Sequence, residues 1–146
     1  MFKEILVAVD DSEQANAALD LAIELGRTLG SALTLVHALD PGRIAASAGD
    51  VGAGAALEIE LEELQDAGKE LMAGAVERVR AAGLSATPIV RDGVPAPTIL
   101  DTARRSACDL IVIGTHGRHG VARLFIGSTA ETVLRESPIP VLIKRS

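Results

Sequence analysis

The chain alternates short apolar runs, rich in β-branched residues, with longer segments whose apolar residues recur every three or four positions. Short continuous apolar runs are typical of parallel strands that are buried on both faces, and the longer period is typical of amphipathic helices. Because crossovers between parallel strands are right-handed, the order βαβαβαβαβ predicts an α/β fold: an open, doubly wound, five-stranded parallel sheet with helices on both faces. The predicted strands are 5–9, 33–36, 86–90, 110–113 and 141–143.

The same pattern predicts where strands and connections lie. The run 110–113 is entirely apolar, which favours an interior strand, whereas Pro88 favours an edge position for 86–90. Residues 41–56 are rich in Gly, Ala and Ser and have no period, so we expect a mobile loop within one domain that spans 1–146. Helices are expected between Ser12 and Gly30 and over 57–79, 95–107 and 128–136.

Charge and composition argue against several classes of partner. The formal net charge of −6 gives no support for nucleic-acid binding, which draws on basic surfaces. No apolar run approaches the ~20 residues that a membrane-spanning helix needs. The single cysteine, Cys108, suits a reducing compartment, and acidic residues come too early for a secretory signal. We therefore expect a cytoplasmic protein that binds neither nucleic acid nor a membrane.

Glycines punctuate the segment that follows the fourth predicted strand. In open α/β sheets, ligands bind at the carboxyl ends of the strands, where the strand order reverses. Gly114, Gly117 and Gly127 would let backbone N–H groups approach an anion closely. Ser128 and Glu131 form an S-x-x-E capping box, which predicts Ser128 as the N-cap of a helix whose N-terminus can hold an anion. The segment 114–128 is thus interpreted as a cradle for phosphate.

The spacing Gly114-x2-Gly117-x9-Gly127-Ser128 resembles the G-2x-G-9x-G-S/T motif of the ATP-binding universal stress proteins. The resemblance covers the whole chain, and three glycines with a hydroxyl at this spacing make a specific signal. The other segments that resemble that family are 5–10 with Ser12, 35–37, Gly93 with Pro95 and Ile99, 109–114 and 140–143.

The resemblance implies a Rossmann-like fold of the adenine nucleotide alpha hydrolase type, and a homodimer joined through the last strand. It also implies a role in the stress response and a bound ATP or related adenine nucleotide, and it leaves open a Mg²⁺ ion bound with it. Carried over by position, the implied nucleotide-binding residues are Ala8, Asp10, Ser12, Ala38, Ile113, Gly114, Gly117, Gly127, Ser128 and Thr129.

Within that set the resemblance implies different tasks. The backbone at Ala8 and Ala38 would line the adenine slot, and Asp10 would face the ribose or adenine. Ile113 with the first two motif glycines would contact the ribose and phosphates. Gly127 and the two residues after it would hold the phosphates.

One position departs from the family pattern. ATP-binding members often carry a hydroxyl three residues after the last motif glycine, where this chain has Ala130. If that hydroxyl contacts phosphate, a hydrogen bond worth roughly 0.5–1.5 kcal/mol is missing. Arg118 and Arg123 could compensate by contacting phosphate oxygens.

Two alternatives remain open beside the nucleotide-binding regulatory protein. One is an interaction module of the same fold that acts as a dimer without a nucleotide. The other is a slow ATPase, although the chain has no Walker A lysine and no evident general base, and we assign no catalytic residue. His116 and His119 lack a third ligand nearby, so no metal site is expected.

Overall fold

The structure, a computed structural model, describes residues 1–42, 54–115 and 126–145. Within these ranges, five parallel strands form one sheet, and four helices connect them. The strands are β1 (Glu4–Ala8), β2 (Ala32–Leu39), β3 (Ala86–Asp92), β4 (Leu110–Gly114) and β5 (Val141–Lys144), and the helices are α1 (Glu13–Leu29), α2 (Gly54–Ala81), α3 (Pro95–Arg105) and α4 (Ser128–Glu136).

The strand order β3-β2-β1-β4-β5 confirms the predicted doubly wound parallel sheet. The chain runs outward from β1 to β3 and then crosses back to β4, so the order reverses between β1 and β4. Strand β3 lies at one edge, as Pro88 predicted, and β4 is a buried interior strand. The reversal matters because it opens a crevice between neighbouring loops at the carboxyl edge of the sheet.

Successive side chains of each strand point to opposite faces of the sheet, and this alternation divides the hydrophobic core into two layers. Ile5 and Val7 face helices α1 and α2, and Leu6 faces helices α3 and α4. The fourth strand is divided in the same way, with Val112 on the first face and Ile111 on the second. The two interior strands β1 and β4 therefore bury apolar residues on both sides, which explains their continuous apolar sequences.

The ends of strand β2 and helix α2 differ from those that the sequence predicted. Strand β2 extends to Leu39 because it pairs with β3 along its whole length, and the Leu39 carbonyl accepts a hydrogen bond from Gly93 at 2.7 Å. His37 therefore lies inside the strand rather than after it. Helix α2 begins at Gly54, so the prediction of loop for 54–56 is wrong, since Ala55 and Ala56 are good helix formers. The rest of that predicted loop, residues 43–53, lies outside the described residues.

Helix ends confirm one predicted cap and correct another. The Ser12 hydroxyl accepts the Ala15 N–H at 3.1 Å, and Gly30 ends α1 with a φ of 70°. For α4 the N-cap is Gly127, not Ser128, and no described side chain caps it. The Gly127 carbonyl already accepts the Glu131 N–H at 2.9 Å, so the helix begins one residue earlier than the capping box requires.

Cys108 is buried, with 6% of its surface exposed, just before β4. Burial raises the pKa of its thiol to about 11. The thiolate is the reactive form of cysteine, so we expect Cys108 to react with a disulfide reagent far more slowly in the folded protein than in denaturant at pH 8. Cys108 is the only cysteine, so the chromophore that a coloured disulfide reagent releases measures the reaction of this thiol alone. The reaction of the same reagent with a small free thiol gives the reference rate. Rapid stoichiometric reaction of the folded protein would contradict the burial of Cys108 and the raised pKa of its thiol.

Candidate functional site

A cavity of about 830 Å³ opens at the carboxyl ends of β1, β2 and β4, beside the reversal in strand order. Its volume is within the range of roughly 300–1,000 Å³ that is usual for small-ligand pockets. The N-termini of α1, α3 and α4 lie around the cavity, and the middle of α2, at residues 64–71, forms a further wall. The cavity thus occupies the position where open α/β sheets bind ligands.

Asp10 is fixed at the end of β1. One of its carboxylate oxygens, Oδ1, accepts the Ser12 N–H at 2.7 Å. Ala8 and Ala38, which the resemblance implied for the adenine slot, line the cavity beside Asp10. Ser12 is placed differently: it is buried, does not line the cavity, and uses its hydroxyl to cap α1. Ser12 can therefore affect the site through the position of α1 and Asp10 rather than by lining it.

The N-terminus of α4 forms the opposite, polar end of the cavity. Gly127 donates its N–H to the Thr115 carbonyl at 2.6 Å, which joins the two ends of the glycine-rich segment. The N–H groups of Ser128, Thr129 and Ala130 lie in the first turn, where an α-helix supplies no carbonyl partner. A glycine N-cap offers no side chain to bind them, so they are available to an anion.

The N-terminus of α3 faces the same cavity but has a different character. Val94 is its N-cap, with no capping side chain, and Pro95 follows at the first helical position. Pro97, at the third helical position, also lacks an N–H, so this helix end presents few donors. The cavity therefore has an apolar wall at α3 and a donor-rich wall at α4, which would orient a ligand with one apolar and one anionic end.

Gly114 ends β4 where the first turn of α1 crosses it. A Cβ added to Gly114 would lie 2.7 Å from the backbone carbon of Gln14 and 2.8 Å from its carbonyl oxygen. No side chain fits at this distance without moving α1. The glycine that the motif assigned to phosphate contact is thus also required for helix packing. Ile113 lies next to it on the other face and lines the cavity.

Charge is unevenly distributed around the cavity. Asp10, Asp11 and Asp40 are in its described wall, and no Lys or Arg is. The predicted phosphate contacts Gly117 and Arg118, with Arg123, lie outside the described residues. Among the described ranges, no three His, Cys, Asp or Glu side chains come together as metal ligands, and no helix there is long and apolar enough to cross a membrane.

Sequence reasoning missed the wall that α2 contributes. Leu64, Gly68 and Leu71 line the cavity, whereas the sequence pattern predicted only a helix over residues 57–79. The helix is longer than the strand it covers, and its N-terminal half extends past the carboxyl edge of the sheet. None of the first fourteen helical residues, 54–67, is buried, which separates this half from the buried stripe of 68–79. The sequence signal that could have indicated this wall was the length of the apolar stripe on α2.

Fold and cavity together define an open α/β protein with a cavity at the switch point of a parallel sheet. The universal stress protein family model matches residues 1–145, and the chain belongs to this family. A universal stress protein of Thermus aquaticus is 35% identical over 99% of this chain and 100% of its own length. Universal stress protein UspA from Lactobacillus plantarum superposes with a TM-score of 0.84, at 28% identity, over 99% of this chain and 98% of that one.

A further solved relative contains a nucleotide. The universal stress protein from Archaeoglobus fulgidus in complex with dAMP superposes with a TM-score of 0.68, at 25% identity. The match covers 98% of this chain and 97% of the other.

We expect Gly114→Ala to destabilise the protein by about 1–3 kcal/mol, because the added methyl group overlaps the backbone of α1. Gly74→Ala is the matched control. Gly74 lies in the exposed middle of α2 with nothing within 4 Å of an added Cβ, so this change should stabilise the helix by about 0.5–1 kcal/mol. Urea denaturation measures both free energies of unfolding. Equal stability of Gly114→Ala and the unsubstituted protein would contradict the packing requirement.

Proposed function

We propose that this universal stress protein is a regulatory protein of the stress response that binds ATP or a related adenine nucleotide in the switch-point cavity. The observation that carries the proposal is the open N-terminus of α4, whose free donors face the cavity opposite Asp10. The dAMP complex of the Archaeoglobus relative supports the choice of an adenine nucleotide. The family membership supports the role in the stress response.

The polarity of the cavity supports one orientation of the nucleotide. Phosphate oxygens accept hydrogen bonds and carry negative charge, so they belong at the α4 end, with Ser128 and Thr129. Adenine and ribose then occupy the region between Ala8, Ala38 and Asp10, against the apolar wall of α3. Asp10, as a carboxylate, can accept a hydrogen bond from a ribose hydroxyl or from the adenine amino group.

Ala130 fits this proposal without a hydroxyl. Its side chain is buried in the core layer between α3, α4 and the sheet, where a polar atom would be costly. Its backbone N–H still lies in the first turn of α4. The phosphate end therefore depends more on backbone donors, and on the hydroxyls of Ser128 and Thr129, than the family pattern implied.

Ser128→Asp tests the phosphate end without removing a packing group. A carboxylate in the first turn of a helix is favourable for the helix dipole, so folding should be retained. The same carboxylate repels a phosphate by about 1 kcal/mol or more at ~4 Å, which should weaken ATP and AMP binding at least about fivefold. Adenosine, which has no phosphate, should bind both proteins equally.

Isothermal titration of ATP, with and without Mg²⁺, and of AMP and adenosine measures these affinities. Ser85→Asp controls for the added charge, because Ser85 is exposed and lies at the amino end of β3, on the side of the sheet away from the cavity. No heat of ATP or AMP binding by the unsubstituted protein up to the millimolar range would overturn the proposed function. Unchanged ATP binding in Ser128→Asp would instead remove α4 from the phosphate site.

The edges of the sheet support a homodimer joined through β5. At the β3 edge, Pro88 has no N–H to offer to an added strand, a common device against edge pairing. At the other edge, β5 contains no proline and exposes 36% of Leu142. Leu134 on the neighbouring helix α4 is also exposed. A second copy that adds its β5 to this edge would bury both side chains and pair the free backbone groups.

Leu142→Asp should convert the dimer to a monomer in light scattering coupled to size-exclusion chromatography, because it buries a carboxylate in the proposed interface. Val90→Asp on β3 is the matched control, since Val90 is 37% exposed at the opposite edge. Val90→Asp should leave the mass unchanged. A monomeric unsubstituted protein, or a dimer lost equally in both variants, would exclude the β5 interface.

A further inference from the structure

His37 joins strand β2 to the end of β1 through its imidazole. It lies on the α1 and α2 side of β2, in the wall of the cavity, with its Nδ1 2.7 Å from the Val9 carbonyl oxygen. A carbonyl oxygen only accepts hydrogen bonds, so Nδ1 carries a proton and donates it. In the neutral ring the proton is then on Nδ1, and Nε2 is the unprotonated nitrogen.

The bond from His37 completes the attachment of Val9 to β2. Val9 follows the last residue of β1, and its N–H donates to the Val36 carbonyl at 2.8 Å. Both backbone polar groups of Val9 are therefore bound by β2, one through backbone and one through a side chain. Without the imidazole, the Val9 carbonyl would lose the only hydrogen bond that the structure shows for it among the described residues.

The position of the Val9 carbonyl constrains the orientation of Asp10. The carbonyl of Val9 and the nitrogen of Asp10 belong to one planar peptide unit, so fixing the first limits rotation of the second. On its other side Asp10 is tied to Ser12, whose N–H its Oδ1 accepts. The chain from 9 to 12 is thus held at both ends: by His37 before Asp10, and by the N-cap of α1 after it.

Helix α2 holds the imidazole in this position. A Cβ added to Gly68 would lie 3.1 Å from Cδ2 of His37 and 3.2 Å from Cδ2 of Leu39. Glycine is unfavourable in the interior of a helix, and here its missing side chain leaves room for the ring against the helix backbone. The ring is therefore enclosed between Gly68 and the carbonyl that it binds.

We propose that His37 is a positioning residue of the nucleotide site, which holds Asp10 in its binding orientation through the Val9 carbonyl. The inference rests on the proposed function, because Asp10 is the residue through which His37 acts on a ligand. It assigns a task to a residue that the motif comparison left without one. It also explains how α2, which lies against His37 at Gly68, contributes to the placement of Asp10.

Two amide substitutions separate this role from the alternatives. In His37→Asn, the side-chain amide can place an N–H close to the position of Nδ1 and keep the bond to Val9. In His37→Gln, the amide lies nearer the position of Nε2, and the bond to Val9 is lost. We expect His37→Asn to bind AMP within about twofold of the unsubstituted protein, and His37→Gln to bind about three- to tenfold more weakly, which is the range for one net hydrogen bond.

A double-mutant cycle shows whether His37 acts through Asp10. In an Asp10→Ala background, His37→Gln should cause no further loss of AMP affinity, since there is no carboxylate left to position. Equal weakening by His37→Asn and His37→Gln, or a loss that adds fully to that of Asp10→Ala, would overturn the inference. A fall in melting temperature shared by both amide variants, with AMP affinity unchanged in each, would also overturn it and leave a structural role.

A ligand-free measurement keeps this result separate from that of the proposed function. In ¹⁵N-labelled protein without nucleotide, His37 should show the tautomer protonated at Nδ1. The Asp10 amide resonance should move in His37→Gln and stay near its place in His37→Asn. If the unsubstituted protein binds no AMP, the proposed function fails, and the resonance of Asp10 alone decides whether His37 positions it. An Asp10 resonance unchanged in both variants overturns the positioning role.

Discussion

The close approach of helix α1 to the end of strand β4 is the constraint on which the site depends. Gly114 has no side chain, so the backbone of Gln14 can lie where a Cβ would otherwise be. This contact brings the N-terminus of α1, with Asp10 before it, to the place where the strand order reverses. The cavity is the space left between that helix end and the N-termini of α3 and α4.

Differences between the helix ends then give the cavity its chemical polarity. The Ser12 hydroxyl caps α1, prolines occupy the first turn of α3, and a glycine without a capping group precedes α4. Among the described residues, α4 is the helix end of these three that has neither a capping side chain nor a proline in its first turn, so its N–H groups are the most available to an anion. Carboxylates on the opposite wall, Asp10 among them, disfavour an anion there. This polarity is the reason for the proposed orientation, with the phosphates of a nucleotide at the α4 end and the base and ribose at the other.

Single hydrogen bonds between different secondary-structure elements fix the residues around the cavity. The Gly127 N–H binds the Thr115 carbonyl and closes the base of the glycine-rich segment. The imidazole of His37 binds the Val9 carbonyl and joins the end of β1 to β2. Thr115 is in turn bound to the Lys144 carbonyl at the end of β5, the strand at the proposed dimer edge. A site on loops is thus fixed by bonds to the sheet beneath it.

The sequence by itself determined the strands, their parallel arrangement, the interior position of β4 and the edge position of β3, because apolar periodicity and proline placement are local signals of burial and edge position. Asp10, Ala38 and Ser128, which the resemblance to the family implied for one nucleotide site, all line the cavity. Local patterns could not assign the N-cap of α4, since Ser128 and Glu131 fit a capping box although the Gly127 carbonyl accepts the Glu131 N–H and begins the helix one residue earlier. They could not reveal why residue 114 is glycine, why Gly68 lies against His37, or that α2 forms a wall. Those features depend on atoms far apart in the chain, and only the packing of helices on the sheet brings them together.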